Sequence, residues 1–302
     1  MSLLVVGSVA FDSVETPFGK AEEVLGGSAT YFSTAASFFT DVKLVAVVGD
    51  DFPVELVDFL KSREIDVNGL QKASGKTFRW KGRYDFDLNQ AHTLDTQLNV
   101  FASFKPQIPE GYKDAEYVFL ANIDPVLQLE VLKQVKKPKL VACDTMNFWI
   151  EGKINELKET LKHVDILTIN EGEARELSKE ANLVKAAKTI LSFGPKTLIV
   201  KRGEYGSLMF SDTGIFAAPA YPLESVFDPT GAGDSFAGGF MGYLSNTGNL
   251  ADGNIRQAII FGSVMASFNV EEFSLNRMKT LTYAEIEQRY KSFKSLTHFE
   301  DL

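Results

Sequence analysis

Short apolar runs alternate with longer helical patterns along most of this chain, and that rhythm limits the fold more than any single motif. Leu3–Gly7, Leu44–Val48, Tyr117–Ala121, Leu140–Asp144, Ile166–Asn170 and Thr197–Lys201 are predominantly apolar stretches of strand length. A strand that is apolar on both faces belongs in a parallel sheet covered by helices on either side. Between and after these runs, Ser28–Phe39, Val54–Arg63, Val126–Val135, Ile154–His163, Leu183–Phe193, Ala232–Leu244, Ile255–Phe268 and Tyr283–Phe293 carry helical patterns. Alternating β and α elements predict a layered α/β fold with right-handed crossovers. The 302 residues suit one such domain, and no repeat, low-complexity segment or linker divides residues 1–302.

Two stretches break the rhythm. Residues Phe11–Leu25 and Thr77–Phe101 hold no convincing helix, and within the second Phe78–Tyr84 and His92–Leu98 alternate as strands do. Such an insertion is either a small β-sheet over the mouth of a site or an edge hairpin without function. Composition alone leaves the two readings level.

Charge and residue usage exclude several partners. The net charge of −9 argues against nucleic acid, whose phosphates need a basic face. A small anion held by a few local donors remains allowed. The lone cysteine, Cys143, cannot form an intrachain disulfide and fits a reducing cytoplasm; its apolar neighbours predict a buried, inert thiol. His92, His163 and His298 are too scattered for metal-ligand spacing. No signal peptide or membrane span is expected, and no membrane partner.

The segment Asp228-Pro229-Thr230-Gly231-Ala232-Gly233-Asp234-Ser235-Phe236 carries the chemistry. Its Gly-Ala-Gly turn leads into a helical stretch with small residues on one face. Glycines at a helix start let backbone N–H groups converge, and with the helix dipole they make an anion site. A carboxylate placed there repels phosphate, so Asp234 makes sense as the base that meets a hydroxyl proton while the amides of Gly231, Ala232 and Gly233 stabilise a transferring phosphoryl group. The plain alternative is a helix cap.

That nine-residue string resembles the C-terminal signature of the ribokinase-like (PfkB) carbohydrate kinases. Val6–Asp12 resembles the family's first strand and the aspartate after it, and Gly26-Gly27-Ser28-Ala29-Thr30 its paired glycines. Thr168–Glu173 resembles its Asn-x-x-Glu element, and Lys201–Gly206 its Gly-x-x-Gly turn near the nucleotide. The resemblance implies a three-layer α/β/α fold with a mostly parallel central sheet and a small β-sheet lid, the lid formed by about residues 11–25 and 77–101. It also implies transfer of phosphate from ATP, with Mg²⁺, to a primary hydroxyl of a sugar or sugar-containing substrate.

Residue roles follow from the same resemblance. Asp12 would bind substrate hydroxyls, with Gly26 and Gly27 beside it. Tyr31 stands where many family sugar kinases have asparagine; its ring would suit a nucleobase, or else it packs into the core with Phe32. Asn122 and Asp124 follow a strand end and either face substrate or simply form a turn before Pro125. Asn170 and Glu173 would act through water around Mg²⁺ and phosphate, unless Glu173 only complements its helix dipole. Lys201, Gly203 and Gly206 would lie near ATP, followed by a hairpin. Asp144 and Asn147 match the family pattern only loosely. Asp228 and Thr230 occupy positions that hold a monovalent cation such as K⁺ in some members, and Asn269 is a candidate adenine contact.

Other functions remain for comparison. A nucleoside kinase would use the same chemistry, and the aromatic residues Phe78, Trp80, Tyr84 and Phe86 of the second stretch favour it mildly. A silent nucleotide- or sugar-binding protein on the same fold is a second reading. A dinucleotide oxidoreductase is a poor one, because Gly7-Ser8-Val9-Ala10 lacks the Gly-x-Gly-x-x-Gly pattern. Exposed strands in the small sheet would allow a homodimer.

Overall fold

A computed structural model describes residues 2–298. Its strands, in chain order, are β1 (Ser2–Val6), β2 (Ala10–Thr16), β3 (Gly19–Gly26), β4 (Asp41–Val48), β5 (Ile65–Lys72), β6 (Phe78–Tyr84) and β7 (Ala91–Gln97). They continue with β8 (Tyr117–Leu120), β9 (Leu140–Asp144), β10 (Ile166–Asn170), β11 (Thr197–Lys201), β12 (Ser207–Ser211) and β13 (Gly214–Ala218). The helices are α1 (Ser28–Ala36), α2 (Val54–Ser62), α3 (Pro125–Gln134), α4 (Asn147–Gly152), α5 (Ile154–Leu161) and α6 (Glu171–Ser178). After them come α7 (Leu183–Leu191), α8 (Ala232–Thr247), α9 (Asp252–Asn269), α10 (Asn276–Thr280) and α11 (Tyr283–Thr297). No helix among the described residues is long and apolar enough to cross a membrane.

The large sheet has the order β13-β12-β11-β10-β9-β8-β1-β4-β5. All its pairings from β5 to β11 are parallel, and β12 and β13 extend one edge antiparallel. The chain winds outward from β1 in both directions, so the order reverses between β1 and β8. At such a switch the loops beyond the carboxyl ends part and open a crevice for ligand.

Residue-by-residue burial explains the continuous apolar runs. Leu3 and Val5 of β1 enter one core, built with α1, α8 and α9, while Leu4 and Val6 enter the other, built with α3, α5, α6 and α7. The same split divides Leu140 and Ala142 from Val141 and Cys143 in β9. Both faces of the sheet are therefore covered, giving the expected three layers. Small residues in α8 set its distance to its neighbours. A β-carbon at Gly238 would stand 2.3 Å from the carbonyl oxygen of Phe32 in α1, and one at Gly239 2.6 Å from Met265 in α9.

The two stretches without helix form one separate four-stranded sheet of order β3-β2-β6-β7. It leaves the large sheet directly after β1, so it hangs over the carboxyl ends of the parallel strands. β2 and β6 pair in parallel with Asp12 opposite Trp80, which puts Asp12, Trp80, Gly82 and Tyr84 on one face. Sequence reading missed β5, β13, α4 and α10, and gave β12 only as a hairpin after Lys201 and α6 only as a helix whose dipole Glu173 would complement. β5 is an edge strand interrupted by Asp66, Asn68 and Gln71, so it lacks the apolar run that marks the central strands, whereas β13, Gly-Ile-Phe-Ala-Ala, is apolar but short and largely exposed.

Candidate active site

The centre of the site is the turn that starts α8. Gly231 has φ 75°, the left-handed region that favours glycine. The Gly231 carbonyl accepts from Ser235 N at 2.8 Å, and the Pro229 carbonyl accepts from Ala232 N at 3.1 Å. Of the three amides expected to hold an anion, that of Ala232 is thus engaged in closing the turn. Among the described residues the N–H groups of Gly231 and Gly233 have no acceptor.

Asp234 sits in the first turn of α8, half-buried, and no hydrogen bond from the described residues reaches its carboxylate. Burial pushes its carboxyl up to about 8; Asp144 adds to this, Lys201 opposes it, and Asp12 and Glu173 raise it further. A carboxylate so placed is short of donors and has a high proton affinity, which suits a base awaiting a hydroxyl. The cap expected as its plain alternative is absent.

Buried polar bonds brace the turn. Asn269 is fully buried; its amide nitrogen donates to the Thr230 carbonyl at 2.8 Å, and its oxygen accepts from Ser235 Oγ at 3.0 Å. This corrects the expectation of an adenine contact: both ends of the amide are committed to the turn. Asp228 is 1% exposed and accepts from Thr230 N at 2.9 Å and Ser274 N at 3.1 Å. Thr230 Oγ1 donates to the Tyr84 hydroxyl at 3.3 Å, linking the turn to β6. Both Asp228 oxygens and Thr230 Oγ1 each have one protein hydrogen-bond partner.

Three adjacent parallel strands end on Asp144, Asn170 and Lys201. Lys201 Nζ donates to Asp144 Oδ2 at 2.9 Å, and both side chains are largely buried. Asp144, only loosely anticipated from sequence, is therefore part of the site, whereas Asn147 is exposed at the start of α4. Asn170 and Glu173 form a capping box: Asn170 Oδ1 accepts from Glu173 N, and Glu173 Oε2 accepts from Asn170 N, both at 2.8 Å. Burial, then Asp144, raises the Glu173 carboxyl to about 7 against the opposing pull of Lys201. The ammonium of Lys201 feels the charges of Asp144, Glu173 and Asp234 together. This surplus of negative charge suits a hydrated divalent cation. No trio of His, Cys, Asp or Glu among the described residues forms a direct metal set, so contact through water fits better than direct ligation.

Asp12 lies opposite, 5% exposed, with Oδ2 accepting from Gly27 N at 3.3 Å. A β-carbon at Gly26 would stand 2.0 Å from that same oxygen. The glycine pair thus serves Asp12, making room for its carboxylate and holding it, rather than presenting bare backbone. Burial lifts Asp12 to about 7, with the Gly27 N–H acting the other way and Asp228 adding to the rise. Tyr31 is 1% exposed with its ring under Gly231, where a β-carbon would stand 2.3 Å away. Its face is covered, so it offers no stacking surface to a base. Its hydroxyl has no well-formed hydrogen bond, and burial followed by Asp12 pushes it well up.

Asn122 is also committed within the protein. Its oxygen accepts from Trp149 Nε1 at 3.0 Å and its nitrogen reaches Met146 Sδ at 3.0 Å. Asp124 caps α3, accepting from Val126 N at 3.0 Å, and pairs with Lys153. At the far side β11 and β12 form the expected antiparallel hairpin. Gly206, φ 81°, packs on the Ala218 carbonyl, and a β-carbon at Gly203 would stand 2.4 Å from Asn89 Oδ1. The loop between β6 and β7 therefore touches the turn assigned to nucleotide.

The chain matches the pfkB family of carbohydrate kinases over residues 3–280. It is 33% identical over 250 residues to the cytidine kinase of Thermococcus kodakarensis, an alignment spanning 80% of this chain and 87% of the relative. Over 286 residues it is 26% identical to the nucleoside kinase of Methanothermobacter thermautotrophicus, spanning 89% of each. The crystal structure of the nucleoside kinase of Methanocaldococcus jannaschii, 23% identical, superposes with a TM-score of 0.77 over 96% of this chain and 98% of its own, a likeness of fold. With the Asp234 turn at the strand ends and the match running from β1 to α10, the chain belongs to the pfkB family of carbohydrate kinases, phosphotransferases that use ATP and take a hydroxyl group as acceptor.

Proposed function

We propose that the acceptor is a nucleoside and that its primary hydroxyl receives the γ-phosphoryl group of ATP. The observation that carries this reading is the pairing of Asp12 with Trp80 on one face of the small sheet. A β-carbon at Gly82 would stand 2.1 Å from the Trp80 ring and Trp80 Nε1 donates to Thr93 Oγ1 at 3.2 Å, so the indole packs over Gly82 on the face that also carries Asp12 and Tyr84. A carboxylate that accepts from a ribose diol, next to a flat aromatic surface for a base, matches the two halves of a nucleoside. The similarity to a cytidine kinase supports the same substrate class.

The small sheet acts as a lid over the strand ends, with residues 1–302 one catalytic unit. Asp12 orients the ribose and Trp80 the base, which brings the primary hydroxyl toward Asp234. As the hydroxyl oxygen bonds to the γ-phosphorus, the bond from that phosphorus to the bridging oxygen of ADP breaks, and Asp234 takes the hydroxyl proton. The N–H groups of Gly231 and Gly233 receive phosphoryl oxygens. Closure of the lid excludes water, which would otherwise be phosphorylated instead. Magnesium, when bound, neutralises phosphate charge; Glu173 and Asp144 are the residues to hold its water shell.

The test is ADP release over cytidine, uridine, adenosine, inosine, ribose, fructose and myo-inositol. Turnover with nucleosides at least tenfold above the free sugars is expected. Turnover confined to free sugars or inositol would overturn the substrate assignment and leave the kinase chemistry standing.

A further inference from the structure

Lys201 is placed for more than nucleotide contact. It is the last residue of β11, its side chain 17% exposed, and its Nζ is held at 2.9 Å by Asp144 Oδ2. The other oxygen of Asp144 accepts from Thr145 N at 2.8 Å, so the carboxylate is itself anchored. A β-carbon at Gly233 would stand 2.9 Å from Nζ, with the rest of the lysine stem alongside. The ammonium therefore lies against the same turn whose free N–H groups face the transferring group. An ammonium has three protons. Among the described residues one is given to Asp144 and no hydrogen bond uses the other two.

We infer that Lys201 is a catalytic residue that donates to an oxygen of the phosphoryl group in flight, and that Asp144 is the positioning residue that holds it there. The inference rests on the phosphotransferase reading of the Asp234 turn and holds for any acceptor. In a loose transition state the charge spreads over the three peripheral oxygens of the phosphoryl group. Two of these face the Gly231 and Gly233 amides, and the Gly233 side of the turn is where Lys201 waits. Because a buried carboxylate fixes the ammonium before ATP arrives, little reorganisation accompanies the reaction, and such donors act most in the transition state. Lysine serves as a compact point charge here, a role the larger, planar guanidinium fills differently. Gly233 has a second reason to be glycine: any side chain would displace the ammonium.

Two charge effects on the base accompany this arrangement. Asp144 raises the proton affinity of Asp234 and Lys201 lowers it. Removing either charge should therefore move the acid limb of the pH–rate profile, in opposite directions.

The experiment compares Lys201→Met, Asp144→Asn, the double variant and Asp234→Asn by steady-state kinetics from pH 5.5 to 9, with ATP dissociation constants from calorimetry. Lys201→Met is expected to lower kcat ~10²–10³-fold, the scale of one lost transition-state donor. Its ATP dissociation constant and nucleoside KM should stay within about threefold of the wild type, as expected when only a transition-state contact is lost. Its acid limb should move to higher pH, and that of Asp144→Asn to lower pH. Should Lys201→Met fold poorly because Asp144 is left buried and unpaired, the double variant removes both charges and must still show the kcat loss. A kcat within threefold of wild type in the folded variant overturns the inference, as does ATP affinity falling as far as kcat/KM. Wild-type activity in Asp234→Asn would instead sink the kinase assignment of the turn itself.

Discussion

Gly231 rests directly on the ring of Tyr31. The backbone that must turn an amide toward phosphate has φ 75° and leaves no room for a β-carbon, which would stand 2.3 Å from the ring. The buried phenol is thus the floor of the anion turn, and the conformation of the turn depends on both residues.

Gly231→Ala combines a left-handed backbone with a steric clash. We expect a stability loss of about 2 kcal/mol or more and a fall in kcat of at least ~10²-fold, from a displaced amide. Thermal melts and initial rates check it; a fully active, fully stable variant would show that the turn tolerates a side chain.

Asp234→Asn should reduce kcat by several orders of magnitude and leave ATP affinity intact, since an amide cannot accept the hydroxyl proton at neutral pH. The same variant has a signature in stability. The folded Asp234 and Asp12 carboxyls, raised to about 8 and about 7, keep protons that the unfolded chain sheds near 3.8. The native state binds more protons in that window, so nucleotide-free wild type should lose stability as pH rises from about 4 to 8. Asp234→Asn removes its share of that loss and should be the more stable protein at pH 8.5, by roughly 2 kcal/mol. The gap should shrink toward pH 5. Chemical denaturation at both pH values reads it directly.

Trp80→Ala should raise the KM for a nucleoside roughly tenfold, the scale of one lost base–aromatic stack. It should change kcat far less. The KM for ribose, where ribose is accepted at all, should not move. Equal effects on nucleoside and ribose would mean that the indole supports the sheet and not the base.

Asn269→Ala deletes two buried hydrogen bonds, to Thr230 and from Ser235. A stability loss of about 1–3 kcal/mol is expected, together with a lower kcat from a loosened turn. The KM for ATP should hold, whereas an adenine contact would raise it several-fold; the two outcomes separate cleanly in a kinetic titration.

Fold class was legible because burial on both sheet faces writes itself into composition. Leu3, Leu4, Val5 and Val6 are all fully buried, so no polar residue could interrupt the run. Edge elements such as β5, exposed at Asn68 and Lys72, leave no comparable trace. The Asp234 turn was legible for a different reason: a glycine-rich anion turn and its carboxylate are contiguous in sequence, and local geometry follows from local residues.

The rest depended on side chains that meet only in three dimensions. Tyr31 could have faced a base or the core, and packing under Gly231 decided it. Asn269 lies 39 residues beyond Thr230, and Lys201 57 residues beyond Asp144; neither pairing is visible along the chain. Periodicity and a contiguous motif determined the layers and the catalytic turn by themselves. Which buried polar group answers which other was settled only by tertiary structure, because such groups must be satisfied wherever the fold happens to bring a partner.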